Sequence, residues 1–284
     1  MGSNSIADSI YKTLIYADIF DYPLTKEEIW RFFICEKPVS QKQIENMLVS
    51  FDSKHGYFYL KKRGHIVVQR KIKERESQKK LQIVKRISSL LSIIPSVYLI
   101  GISGNLSMNN AEKKDDIDIF IITKSGVLWS TRLLIILFLR IIGKHRKKLD
   151  KHVENKICIN MLIDEKAIII PFSRRDLYTA HEVIQMKPIF VRGDSYKRFI
   201  AVNSWVRKFL PNSIEKVMNY ELKINEGHKK SLIEFLAKKV QFWYMKKNIT
   251  SEIVSDTILA FHPRDYTDIV LKKYNEKVKQ YEKV

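Results

Sequence analysis

The chain has 284 residues, 51 Lys and Arg against 31 Asp and Glu for a formal net charge of +20, and 45% hydrophobic residues. That balance excludes a disordered, collagenous or disulfide-stapled chain, and the length suits one large domain or two to three small ones. Nine Gly and seven Pro lie below average usage of about 7% and 5%, which predicts long regular elements, mostly helices. No sequence period recurs, so a solenoid is not expected. The two cysteines, Cys35 and Cys158, each stand in an apolar run and read as buried thiols of a reduced, cytoplasmic protein.

In chain order, Ile6, Ile10, Leu14 and Ile15 fall at helical spacing, and the segment ends in Asp21-Tyr22-Pro23. Thr25 followed by Glu28, and Ser40 followed by Gln43, are capping boxes that open two more helices. The runs GYFYLKKR and GHIVVQRK then read as a hairpin turning at Arg63-Gly64. Three helices followed by a hairpin is the order of a winged helix-turn-helix, expected over residues 1–70. A connecting helix is expected over 71–95. The pattern then changes to strand, strand, helix, strand (97–102, 116–123, 128–142, 156–163), an α/β unit within a domain at 96–172. Helical periodicity over 173–284 predicts a helical C-terminal domain, with His262-Pro263 at a helix boundary. The most apolar stretch, 127–143, is interrupted by Arg132 and Arg140. A buried helix is expected there, and no membrane span.

Chemistry concentrates in YLIGISGNLSMNNAEKKDDIDIFIIT, residues 98–123. Alternation along the strand near Asp116 places Asp116 and Asp118 on one face, with Cα atoms about 6–7 Å apart, while Ile117, Ile119 and Ile121 enter the core. Paired carboxylates offer the hard oxygen ligands that Mg²⁺ or Mn²⁺ takes. Upstream, a strand runs into Ser103-Gly104-Asn105 and a short helix, a turn that presents backbone N–H groups to an anion. A triphosphate fits between the two halves.

An apolar strand, a Gly-containing turn at Gly104, and Asp116-x-Asp118 twelve residues later inside a second strand resemble the signature of the DNA polymerase β-like nucleotidyltransferase superfamily. The resemblance covers residues 96–165. It implies an α+β fold with a mixed sheet, a nucleoside triphosphate bound at Ser103, Gly104 and Asn105, and Asp116 and Asp118 as metal ligands for transfer of a nucleoside monophosphate. Where the family has Ser after Gly, this chain has Asn105, which keeps a polar contact but no hydroxyl. The family's third carboxylate on a later strand falls here on Asn160, which cannot serve as a base. Asp164, about 13 Å further along an extended strand, and Glu154 are the neighbouring acids.

Between residues 61 and 88 stand eleven Lys and Arg against two Glu. That cluster suits an RNA or DNA backbone, although 37 of the 51 basic residues are lysines and a lysine-rich face can be merely solvated. Three functions stay open: nucleotidyl transfer to an acceptor hydroxyl, with nucleic acid as one acceptor; a nucleic-acid-binding regulator that only senses nucleotide; and transfer to a protein or small molecule. Tyr178, His181, Glu182 and Gln185 share helical spacing and read as a helix packed on the catalytic sheet, with contact to substrate as the alternative. His145 and His152 lie in a polar connection without a metal-ligand pattern.

Overall fold

The protein, a computed structural model, is described over residues 3–147, 150–214, 231–246, 252–261 and 264–282; His262-Pro263 lies outside the described residues. Its centre is a mixed six-stranded sheet of order β6-β3-β4-β5-β8-β7. These strands are β3 (Val97–Ile102), β4 (Ile117–Thr123), β5 (Ile157–Asp164), β6 (Lys187–Val191), β7 (Ile253–Val254) and β8 (Ile258–Ala260). Within the sheet β4 and β5 run parallel and the other neighbours antiparallel. The parallel pair needs a crossover, and α6 (Leu128–Ile141) supplies it. The mixed α+β class and the strands of the central unit follow the sequence expectation.

Alternation on β4 divides the interior in two. Ile117, Ile119 and Ile121 point to one face, where they meet Trp129, Ile135 and Leu139 of α6. Phe120 and Ile122 point to the other, against helix α7 (Leu177–Gln185) and the N-terminal helices α1 (Ser3–Asp18), α2 (Lys26–Arg31) and α3 (Gln41–Leu48). Asp116 and Asp118 share the parity of Phe120, so the carboxylates stand at the end of this second face. Helix α10 (Arg264–Tyr281) also joins that core through Val270 and Tyr274. N-terminal and C-terminal helices therefore share one apolar interior.

Both capping boxes form, with Thr25 and Ser40 each accepting from the third helical N–H and receiving the Glu28 or Gln43 side chain in return. The hairpin differs from expectation. Its strands are β1 (Ser53–Lys54) and β2 (Tyr57–Phe58), joined through His55 and Gly56 at φ of 53° and 80°, the backbone a tight hairpin turn requires. The run GHIVVQRK instead begins α4, Ile66–Leu91. Its Ile66, Val67, Arg70, Ser77, Lys80, Val84, Ile87 and Leu91 are buried at helical spacing, and that packing overrides the strand preference of the β-branched residues.

The region from residue 173 is not purely helical. It contributes β6, β7 and β8 to the sheet, strands of two to five residues that are too short to produce a visible alternation. Among the described residues no helix is long and apolar enough to cross a membrane. The 14 residues of α6 extend only about 21 Å, against a hydrocarbon core of about 30 Å.

Candidate functional site

The turn after β3 packs directly against the first carboxylate pair. Gly104 has φ of 60°, and a Cβ there would lie 3.1 Å from Asp118 Oδ2. Ser103 N–H donates to the Asp118 carbonyl at 3.1 Å, which locks the turn to β4. Helix α5 (Gly104–Ser107) follows at once. A Gly104→Ala substitution would meet both the left-handed backbone and the carboxylate; we expect a loss of about 1–2 kcal/mol in stability, read by thermal melting. An unchanged midpoint would contradict the close approach.

The loop carrying Asp115 and Asp116 is held from below by a buried lysine. Lys80, 1% exposed, donates through Nζ to the carbonyls of Asp115 (2.7 Å) and Lys113 (3.0 Å) and to Asn155 Oδ1 (3.1 Å). Its side chain thereby ties the loop to the Asn155 turn, whose own N–H also reaches the Asp115 carbonyl at 3.3 Å. Burial pushes its own pKa down. Asp115 in turn accepts from Glu112 N–H at 2.9 Å, and Asn105 Nδ2 approaches it at 3.5 Å.

Asp116, Asp118 and Cys158 converge, with one ligand-type atom from each within 4.8 Å of the others. Cys158 stands opposite Asp118 in the β4–β5 register, so it is a half-buried site residue rather than the core thiol expected. Asn160 takes a different place. It lies beside the β4–β5 register shift, is 4% exposed, and donates from Nδ2 to Ser103 Oγ at 3.0 Å, supporting the turn from behind.

Burial pushes the Asp118 carboxyl up to about 6, with the charge of Asp116 adding to it. Burial also raises Asp116, opposed by Arg146. The two carboxylates thus resist joint ionisation without a nearby cation. Arg146 Nε lies 2.9 Å from Asp116 Oδ2, yet neither atom is aligned for a hydrogen bond, and Arg146 Nη1 reaches Cys158 Sγ at 3.3 Å. Asp116 Oδ2 therefore carries an ion pair but no aligned hydrogen bond, and a hard divalent cation held there would share it with, or displace, the guanidinium. Cys158, pushed up to about 12 mainly by burial, remains a neutral thiol, so the donor set favours oxygen-seeking Mg²⁺ or Mn²⁺ over a thiolate-seeking metal.

Across the cleft stands an acid that sequence reasoning assigned to scaffold. Glu182 of α7 lines a cavity of about 260 Å³ together with Gly104, Asn105 and Asp118. It also lines a second cavity of about 630 Å³ that includes Ser103, Asn160, Phe120 and Tyr266. Burial first, and the Asp118 charge second, push its carboxyl up to about 7. Its neighbour His181 is buried beside the same smaller cavity, pushed down to about 4 by burial, and stacked on Tyr16 at 3.8 Å. The spacing Tyr178–Glu182 marked a helix face, but only the fold shows that this face looks toward Asp118.

The basic segment 61–88 is partly internal. Arg70 and Lys80 are buried, and Arg63 is tied to Asp18 and Asp21. Lys71, Arg75, Lys79 and Arg86 remain exposed, forming a stripe along α4. Compared with protein-family models, with curated proteins and with solved structures, the chain has no significant match in any of the three.

Proposed function

We propose that this protein is a Mg²⁺- or Mn²⁺-dependent nucleotidyltransferase of the polymerase β-like type, transferring a nucleoside monophosphate from a nucleoside triphosphate to an acceptor hydroxyl. The observation that carries the reading is the contact of Gly104, at positive φ, with the Asp118 carboxylate, which brings an anion-binding turn and a paired-carboxylate site into one place. Asp116 and Asp118 would hold the metal, which would neutralise charge on the triphosphate and polarise the phosphorus under attack. The Gly104 and Asn105 N–H groups, the Asn105 amide and the Ser103 hydroxyl, whose oxygen accepts from Asn160 and leaves its proton to donate, would face the phosphates. Glu182 is positioned to accept the proton of the acceptor hydroxyl as its oxygen bonds to the α-phosphorus and pyrophosphate leaves. The exposed stripe on α4 supports a nucleic-acid acceptor.

A second reading is favoured by two features. The residue level with Asp118 is Cys158, not an acid, and Arg146 already lies against Asp116. That arrangement suits a regulator that binds nucleotide without turning it over.

The test is incubation with each α-³²P-labelled nucleoside triphosphate, Mg²⁺ or Mn²⁺, and separated RNA, protein and small-molecule fractions. Label should enter one fraction with wild type and none with Asp116→Asn/Asp118→Asn. Equal labelling by both proteins would sink the assignment. Nucleotide binding without transfer, accompanied by altered DNA affinity, would favour the regulator.

A further inference from the structure

Helix α9 (Leu232–Met245) is built inside out. Its buried positions are Glu234, Ala237, Gln241 and Met245, two of them polar. Glu234 accepts from the N–H groups of Trp129 (2.6 Å) and Ser130 (2.9 Å) at the start of α6. Gln241 donates to the Trp129 carbonyl at 2.7 Å and accepts from Arg132 Nη1 at 2.7 Å. Outward stand Leu232, Ile233, Phe235, Leu236, Val240 and Trp243, each between 50% and 72% exposed. On α6, Leu134, Leu137 and Ile141 add exposed apolar groups at helical spacing. An apolar face on two packed helices exceeds the scattered exposure normal for a protein surface.

The charge around this face identifies its partner. Lys239 stands within this face, at helical spacing from Phe235, Leu236 and Trp243, and Arg140 and Lys246 are exposed on the same two helices. The only carboxylate on α6 or α9 is the buried Glu234. Asp256, an acid set against α9 from outside it, is already paired with Lys238, so joining two copies through the face would set Arg140, Lys239 and Lys246 of each against those of the other, on a chain of net charge +20. An anionic bilayer surface supplies both complements, acyl chains for the Leu, Ile and Phe side chains and head-group charge for the Lys and Arg tips. Trp243 and Tyr244, 66% and 59% exposed, suit the boundary between the two.

We propose that the α6–α9 face is a docking surface for anionic lipid bilayers, with α9 lying in the plane of the interface. This inference is independent of the nucleotidyltransferase reading. The test is co-sedimentation of the full chain with phosphatidylcholine vesicles, alone or with about 30 mol% phosphatidylserine, alongside sedimentation velocity without lipid. The protein should bind the anionic vesicles at least about tenfold more tightly than the neutral ones and sediment alone as a monomer. Phe235→Asp/Trp243→Asp, at exposed positions, should lose at least about tenfold in vesicle affinity with unchanged circular dichroism. Lys239→Glu/Lys246→Glu should lose the preference for phosphatidylserine. Three results would overturn the proposal: no binding of wild type to anionic vesicles, binding that survives Phe235→Asp/Trp243→Asp, or a dimer that this pair of substitutions dissociates.

Discussion

Replacing Asp118 by Asn should lower metal-dependent nucleotidyl transfer by about a thousandfold while making the metal-free protein more stable near neutral pH. The two effects have one origin. Burial raises the Asp118 carboxyl from an ordinary 3.8 to about 6 in the folded chain. A group whose pKa rises on folding supports the fold while protonated, below about pH 4, and that support is lost as the pH rises through about 6. Above that window the ionised carboxylate costs the apo fold up to roughly 3 kcal/mol, which Asn does not incur. Melting in EDTA should therefore give a midpoint several degrees higher for Asp118→Asn than for wild type near neutral pH, with the gap closing toward pH 4. Adding Mg²⁺ or Mn²⁺ should raise the wild-type midpoint and leave the variant unchanged. A variant less stable than wild type in EDTA at neutral pH would contradict this electrostatic description.

Arg70→Met should destabilise the fold by about 3–5 kcal/mol, a fall of about 10 °C or more in the melting midpoint. Arg70 is 3% exposed. Its guanidinium bonds Glu28 at 2.9 Å, Glu74 at 2.8 Å and the Pro23 carbonyl at 2.9 Å, and lies 3.7 Å over the Tyr22 ring. Methionine matches much of the stem but strands two carboxylates, one of which also receives the Tyr22 hydroxyl at 2.6 Å. Arg75→Met, five residues further along α4 and exposed, should change the stability by less than about 0.5 kcal/mol. A melting curve for each variant decides the matter: equal midpoints for the two would mean that Arg70 belongs to the outer basic surface and not to the interior.

That contrast explains why the basic segment was hard to interpret from sequence. A lysine or arginine in a helix reads as solvated until the fold supplies its acceptors, and the acceptors of Arg70 and Lys80 lie 33 to 75 residues away along the chain, with Glu74 the local exception. Because Arg70, Ser77 and Lys80 occupy the buried stripe of α4, that stripe is not apolar, and the β-branched Ile66, Val67 and Val68 dominated the local signal. Strands β3, β4 and β5 were legible because each is long enough to show its burial, and the capping boxes because their partners are three residues apart. The site was legible where it is local: Gly104, at the turn that follows β3, and Asp118 of β4 lie fourteen residues apart on consecutive segments of the chain. Glu182 and Arg146 were not, since only tertiary packing carries α7 and the segment after α6 to the carboxylates. Cys158 escaped notice because its apolar neighbours suggested core, whereas parity on β5 and register with Asp118 turn it to the site.

The most direct test of the paired-carboxylate site is an electron paramagnetic resonance titration of Mn²⁺ into the protein, with and without a nucleoside triphosphate. Wild type should bind the ion, and the triphosphate should tighten that binding because both would share the cavity lined by Gly104, Asn105, Asp118 and Glu182. Asp116→Asn/Asp118→Asn should abolish both effects. Identical Mn²⁺ binding by the double variant, or wild-type binding that the triphosphate leaves unaltered, would contradict the site described here.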